Sequence, residues 1–274
     1  MKKIKSNMRS KWSRRHARKA IPLFASFFLA QFPLPAGNIA TKPHKAIVAP
    51  TAEALKFVQF ELEMYNLYEE IGLEKAGLNL EVFNKAMVGY LNLVHAGEIK
   101  NKNVLTIADF DKHSSQKRLW VIDLSARKIL HQSLVAHGKN SGWDMAESFS
   151  NVLGSEMSSV GFYLTKDTYT GKHGLSLKLA GLDEGYNKNA YDRNVVVHGA
   201  DYVSEDFVKQ HGRLGRSQGC PALPMGTHRE VIKDIKDGSL LYLHSSAANY
   251  ESDFLDTEVA MNSYFSDMPT VASL

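Results

Sequence analysis

The spacing of the apolar residues changes part-way along the chain, and that change limits the folds open to it. From Ala52 to about Val94 they recur at helical spacing: Leu55, Val58, Phe60 or Leu62, Tyr65 and Leu67, then Leu78, Phe83, Met87, Tyr90 and Leu91. Gly72 and Gly77 interrupt the run, so two or three helices are expected. From Val104 the period falls toward two. VLTIADF, KRLWVIDL and KILHQSLVAHG read as successive strands separated by the turn signals DKHSSQ and SARK, and SVGFYLT, GLSLKLAG, RNVVVHGA and SLLYLHS continue the series. One helix, GTHREVIKDIKDG at 226–238, is expected among them. The fold class is therefore mainly β, a sandwich or barrel, with a helical N-terminal segment.

Charge divides the chain further. Residues 1–20 carry nine Lys/Arg and no Asp/Glu, and the uncharged run IPLFASFFLAQFPLPA follows to Ala36. A basic stretch, an apolar stretch and small residues at its end form a signal-peptide pattern, with cleavage expected after Ala36 or Ala40. Removing the nine charges leaves 24 Lys/Arg against 29 Asp/Glu, close to −5, so the basic balance of the whole chain belongs to the leader. No nucleic-acid partner is expected. The apolar run holds Pro22, Pro33 and Pro35 and is short for crossing about 30 Å of hydrocarbon, so no membrane span is expected after cleavage. SRRHARK at 13–19 only faintly resembles a twin-arginine signal, and general secretory export is the preferred route. The expected organisation is a leader over 1–36, a linker and helical segment over 37–100, a catalytic domain over 101–246 and a tail over 247–274.

A chain exported to an oxidising compartment meets conditions that pair cysteines, yet this one has a single cysteine, Cys220, in RSQGCPALP. A lone cysteine is compatible with inert packing. Its setting between Gly219 and Pro221 in a loop points instead to a reactive group. VVVHGA ends a buried-looking strand on His198 and Gly199, and glycine at a strand end lets another group approach closely. A thiol needs a neighbouring imidazole to become a useful nucleophile at neutral pH, which makes Cys220 and His198 the candidate pair and the Gly219 and Cys220 amides candidate oxyanion donors. Two other readings stay open on these residues: a zinc hydrolase using His198, His211 and Cys220, and a non-catalytic wall-binding module in which Cys220 packs. There is no GxGxxG and no phosphate loop.

VVVHGA followed by GRSQGCPA resembles the His-Gly and Ser-x-Gly-Cys signature of the L,D-transpeptidases, in particular the murein L,D-transpeptidase catalytic domain family, and the likeness extends over roughly residues 100–245. It implies an exported, periplasmic or envelope enzyme acting on peptidoglycan stem peptides without metal or organic cofactor. Cys220 matches the nucleophile and His198 the general base, with Ser217 and Gly219 as the small residues before the cysteine. Gln218 and Ala222 stand where the wider group more often has His and, two residues after the cysteine, Asn or Arg, which removes one substrate donor. Arg193, Arg213 and Arg216, with Gly199, are the expected substrate contacts. His137, in VAHG, is expected to make a structural hydrogen bond.

Overall fold

The computed structural model describes residues 49–267. The expected leader, its cleavage site and the first part of the linker lie outside the described residues, as do 268–274.

Two helices lead. Helix α1 (Ala52–Ile71) starts where the Thr51 side chain accepts from the Ala54 amide and stops at Gly72, whose φ of 77° ends it in the left-handed conformation. Its inward stripe is Phe60, Met64, Tyr68 and Ile71. Leu55, Val58, Leu62 and Tyr65, expected on that stripe, face outward. The i, i+4 row that contains Met64 and Tyr68 wins because Tyr68 combines an apolar ring with a hydroxyl that donates to the Leu78 carbonyl at 2.5 Å. Helix α2 (Leu80–His95) is capped by Asn79 and runs close to the sheet. At Gly89 an added Cβ would lie 2.0 Å from the Phe162 ring, so only glycine permits that contact.

The strands are β1 (Val104–Asp109), β2 (Leu119–Asp123), β3 (Lys128–Ser133), β4 (Gly161–Gly171), β5 (Gly174–Gly181), β6 (Val196–Ala200), β7 (Ala222–Pro224) and β8 (Leu240–His244). They form one sheet in the order β3-β2-β1-β8-β4-β5-β6-β7, with β1–β8 and β6–β7 parallel and the other pairs antiparallel. Its two edges meet: the Ala136 amide, just past β3, donates to the Ala222 carbonyl of β7 at 2.9 Å, and Gly138 bridges Ser217. The sheet thus curls into a barrel, the mainly β fold with an N-terminal helical segment that the period change predicts.

Alternation along the central strands supplies two cores. Leu105, Ile107, Trp120, Ile122, Leu240 and Tyr242 pack outward under α1 and α2. Val104, Ala108, Val121, Leu177, Leu241 and Leu243 face inward and meet Val231, Ile232 and Ile235 of helix α4 (His228–Ile235), the helix expected at 226–238. Two elements escape a reading by period: β7, only three residues long, and helix α3 (Glu205–His211), which has no buried residue and rests on its Ser204 cap and the left-handed Gly212. The tail holds helix α5 (Thr257–Asp267), tied to α2 where the Asn92 amide group donates to the Phe254 and Asp256 carbonyls at 2.8 and 2.9 Å. No helix among the described residues is long and apolar enough to cross a membrane.

Candidate active site

The parallel pairing of β6 with β7 sets the site. His198 is the register partner of Ala222, which leaves Cys220, two residues before β7, beside Val196, two residues before His198. Cys220 itself lies in a bend ahead of β7, and its sulfur meets the backbone of β6. The Val196 amide donates to Sγ at 3.5 Å, and the thiol donates to the Asn194 carbonyl at 3.7 Å. Asn194 reaches that position with φ of 55°, a left-handed conformation that asparagine tolerates better than most residues. The His198 ring is not among the hydrogen-bond partners of Sγ. Its Nδ1 lies 2.9 Å from the Gly199 carbonyl, which can only accept, so Nδ1 carries the proton and Nε2 presents a lone pair. The ring of His173 packs against that of His198, with centroids 4.5 Å apart and planes tilted by 30°.

Burial holds both members of the pair neutral. It lowers the His198 pKa from the ordinary 6.5, with the charges of His173, His228 and Lys172 acting in the same direction against the Gly199 hydrogen bond. Burial also raises the half-buried Cys220 thiol above 9.0, partly offset by the Val196 amide and by the positive charges of Arg193 and Lys172.

The loop before the cysteine is stitched from beneath. Ser217 Oγ donates to the Cys220 carbonyl at 2.6 Å and accepts from the Gly219 amide at 3.1 Å, closing a tight turn. This corrects the expected oxyanion pair: the Gly219 N–H is already given to Ser217, and the Cys220 N–H is the one of the two without a partner among the described residues. Gly219 is required for another reason. Its φ is +116°, and an added Cβ would sit 2.6 Å from the Met157 carbonyl. Ser158 Oγ links the layers, accepting from the Gly138 amide and donating to the Gly219 carbonyl.

Two of the four expected substrate contacts, Arg193 and Gly199, are turned to other parts of the protein, and two lie at the surface. Arg193 donates through Nη1 to the Ser150 carbonyl and Ser159 Oγ, and through Nη2 to Ser155 Oγ and the Met157 carbonyl. Four of its five N–H donors are thus spent on the 150–159 loop beside Gly219, so it clamps the site and lends it positive charge rather than gripping a carboxylate. Gly199 admits a protein group: a Cβ there would meet His228 Nδ1 at 2.6 Å. Arg213 and Arg216 lie over the exposed Trp143 ring, 3.8 and 4.3 Å from its centroid, and Arg216 also donates to the Lys139 and Gly142 carbonyls. Neither has a carboxylate partner among the described residues.

The zinc trio is not assembled. His211 is exposed at the end of α3 against Phe207, and the one grouping of three ligand types within reach of each other among the described residues is Asp109, Asp111 and His244. There, all three groups are already engaged: the Asp111 amide donates to Asp109 Oδ1, Ser245 Oγ and the Ser246 amide donate to Asp111, and Tyr242 meets His244 Nδ1.

His137 makes the expected structural bond. Its Nδ1 accepts from Arg118 Nη2 at 2.8 Å, and its carbonyl accepts from the Ser217 amide at 2.9 Å, so VAHG is a scaffold for the cysteine loop. Burial, then the Arg118 charge, lowers the His137 pKa to about 3, which keeps the ring neutral. In KRLW nothing about an arginine ahead of a strand signals the complete burial of Arg118. Arg118 also donates to the Val135 and Lys112 carbonyls and lies 5.0 Å from the Phe110 ring centroid. Arg118→Met leaves three buried acceptors without donors, at about 1–3 kcal/mol each, while removing a buried cation returns part of that. Chemical denaturation should show a loss of roughly 2–4 kcal/mol; an unchanged midpoint would remove Arg118 from the scaffold.

A family model described as the L,D-transpeptidase catalytic domain matches residues 74–244, more than half of the chain and all eight strands. The chain belongs to the L,D-transpeptidase catalytic domain family. The match starts between α1 and α2 and ends with β8. Among solved structures, this L,D-transpeptidase domain is similar to an L,D-transpeptidase from Mycobacterium smegmatis at 13% identity and TM-score 0.34, over 52% of this chain and 59% of that one. It is also similar to L,D-transpeptidase 3 from Mycobacterium tuberculosis at 11% and 0.34, over 52% and 61%. An L,D-transpeptidase from Xylanimonas cellulosilytica aligns at 10% and 0.30, over 59% and 80%. The chain spans less than two thirds of the length of the two mycobacterial structures. No curated protein matches it in sequence.

Proposed function

We propose that the chain is an exported peptidoglycan L,D-transpeptidase with Cys220 as nucleophile and His198 as general base. The observation that supports this reading is the register of β6 and β7, in which His198 pairs with Ala222 two residues after the chain's one cysteine, together with an imidazole whose Nδ1 is given to the Gly199 carbonyl. The S–H turns from the Asn194 carbonyl to Nε2, and the thiolate attacks the carbonyl of the third residue, a diamino acid, in a donor tetrapeptide stem. The Cys220 amide stabilises the resulting oxyanion. As the C–N bond breaks, imidazolium protonates the departing D-alanine amine, leaving a thioester on Sγ. An amine of a second stem then attacks the thioester to give a 3–3 cross-link, or water does so to give a shortened stem. Arg193, beside the loop, favours the negative sulfur. Arg213 and Arg216 remain the cations available to stem carboxylates at the surface. Residues 1–36 act as the export leader, and the site of action is the periplasm or cell envelope.

The test is incubation of the purified protein with tetrapeptide muropeptides, read by mass spectrometry. Release of D-alanine with dimer or shortened stem is expected; intact substrate alone would overturn the reading. A pH series adds a signature. Because the His198 pKa is lowered from 6.5, acylation by a carbapenem should rise at acid pH as the ring loses its proton, be level already by pH 6.5, and stay level until the thiol itself ionises above 9.0. A rate that falls on going from pH 5 to 8 would overturn the neutral-pair mechanism.

A further inference from the structure

The candidate base is held by few bonds of its own. The His198 ring makes one hydrogen bond, between Nδ1 and the Gly199 carbonyl at 2.9 Å, and no carboxylate among the described residues orients it. The torsion about the Cβ–Cγ bond of an imidazole is broad, so one bond at Nδ1 leaves Nε2 room to swing. Against this ring lies that of His173, with centroids 4.5 Å apart and planes tilted by 30°. His198 is buried and His173 is exposed, so the outer ring covers part of the inner one.

A tight hairpin places His173 there. Gly171 of β4 and Gly174 of β5 are register partners with Lys172 and His173 alone between them, and Gly174 closes the turn at a φ of 73°. The strand partner of His198 on β5 is Ser176, three residues from His173, so the tip extends past that pairing and its ring returns to the imidazole. The tip faces both members of the candidate pair: the Lys172 charge lowers the pKa of His198 and of Cys220 alike.

We propose that His173 is a positioning residue for the candidate base: its ring, packed against that of His198, fixes the imidazole in the orientation that presents Nε2 to the Cys220 thiol. The assignment rests on the transpeptidase reading above. Turning the His198 ring about its Cβ–Cγ bond drives an edge into His173, so the contact narrows the torsion that the Gly199 bond leaves loose. Proton transfer needs the two groups within hydrogen-bond reach, and a base whose ring wanders is in place for only part of the time. His173 itself gains and loses no proton in this scheme. The role asks for a flat ring and not for an imidazole.

The experiment measures acylation of Cys220 by a carbapenem and turnover of tetrapeptide stems in the full chain carrying His173→Ala, His173→Phe, His198→Ala, or His173→Ala together with His198→Ala. His173→Ala should slow acylation by about 10–100-fold, the scale of a small misplacement of a reacting group. His173→Phe keeps a flat ring and should stay within about threefold of wild type. In the double variant the loss should equal that of His198→Ala alone, because a residue that acts through the imidazole has nothing to act on once it is gone. A ring that merely shapes the hairpin would add its own loss in that background. Wild-type rates in His173→Ala, a His173→Phe as slow as His173→Ala, or additive losses in the double variant would each overturn the positioning role and leave the transpeptidase reading standing. A folded wild-type protein that gives neither adduct nor turnover would overturn both.

Discussion

Cys220→Ala should give no acyl adduct with a tetrapeptide stem or a carbapenem under conditions in which the wild-type protein gains one adduct per chain by intact mass spectrometry. The chain has one cysteine, so the adduct has one thiol to sit on. Cys220→Ser should be impaired by at least about 10²-fold, because an alcohol is far harder to deprotonate than a thiol and this site raises even the thiol above 9.0. Stability should hardly move. The lost sulfur is half-buried, and its bonds to the Val196 amide and Asn194 carbonyl are long, so the cost in Cys220→Ala should stay near or below about 1 kcal/mol. A cysteine kept for packing gives the opposite pattern: no adduct in the wild type, and a melting temperature as the only difference.

What could be read in advance divides along physical lines. Strands whose alternate residues feed two cores announce themselves by apolar runs of strand length, β-branched in RNVVVHGA and leucine-rich in SLLYLHS, and the His198–Cys220 pair was visible because chemistry needs those two residue types. The cysteine loop hides its bonding. That Gly219 gives its N–H to Ser217 follows from a turn only three residues wide, which spacing does not disclose. Arginines misled for a related reason: Arg193 reads as a surface cation, and only the return of the 150–159 loop beneath it engages its guanidinium. In GLSLKLAG the alternation of Leu175, Leu177 and Leu179 leaves Lys178 on the other face, which is partly buried, and the sequence does not disclose that burial. The tip TGKHG carried a signal, two basic residues between glycines at a hairpin turn, and it is from there that His173 covers His198.

His198→Ala should slow acylation of Cys220 by about 10²–10⁴-fold, the usual worth of a positioned general base. The size follows from the state of the pair: with the thiol raised by burial, almost none of it is thiolate at pH 7 unless Nε2 removes the proton during attack. The variant should also change the shape of the pH profile. Wild-type acylation levels off once the imidazole is neutral, whereas His198→Ala should climb with slope one through pH 7–9 as thiolate appears unaided, so the two curves converge at high pH. His198 is buried against His173, and its loss leaves space. His198→Gln, which fills that space without offering a base of useful strength, should reproduce the profile and separate proton transfer from packing. His211→Ala should leave rate and profile alone, since that ring stands exposed at the end of α3 against Phe207. A large loss in His211→Ala with little in either His198 variant would move the base to α3 and remove His198 from the chemistry.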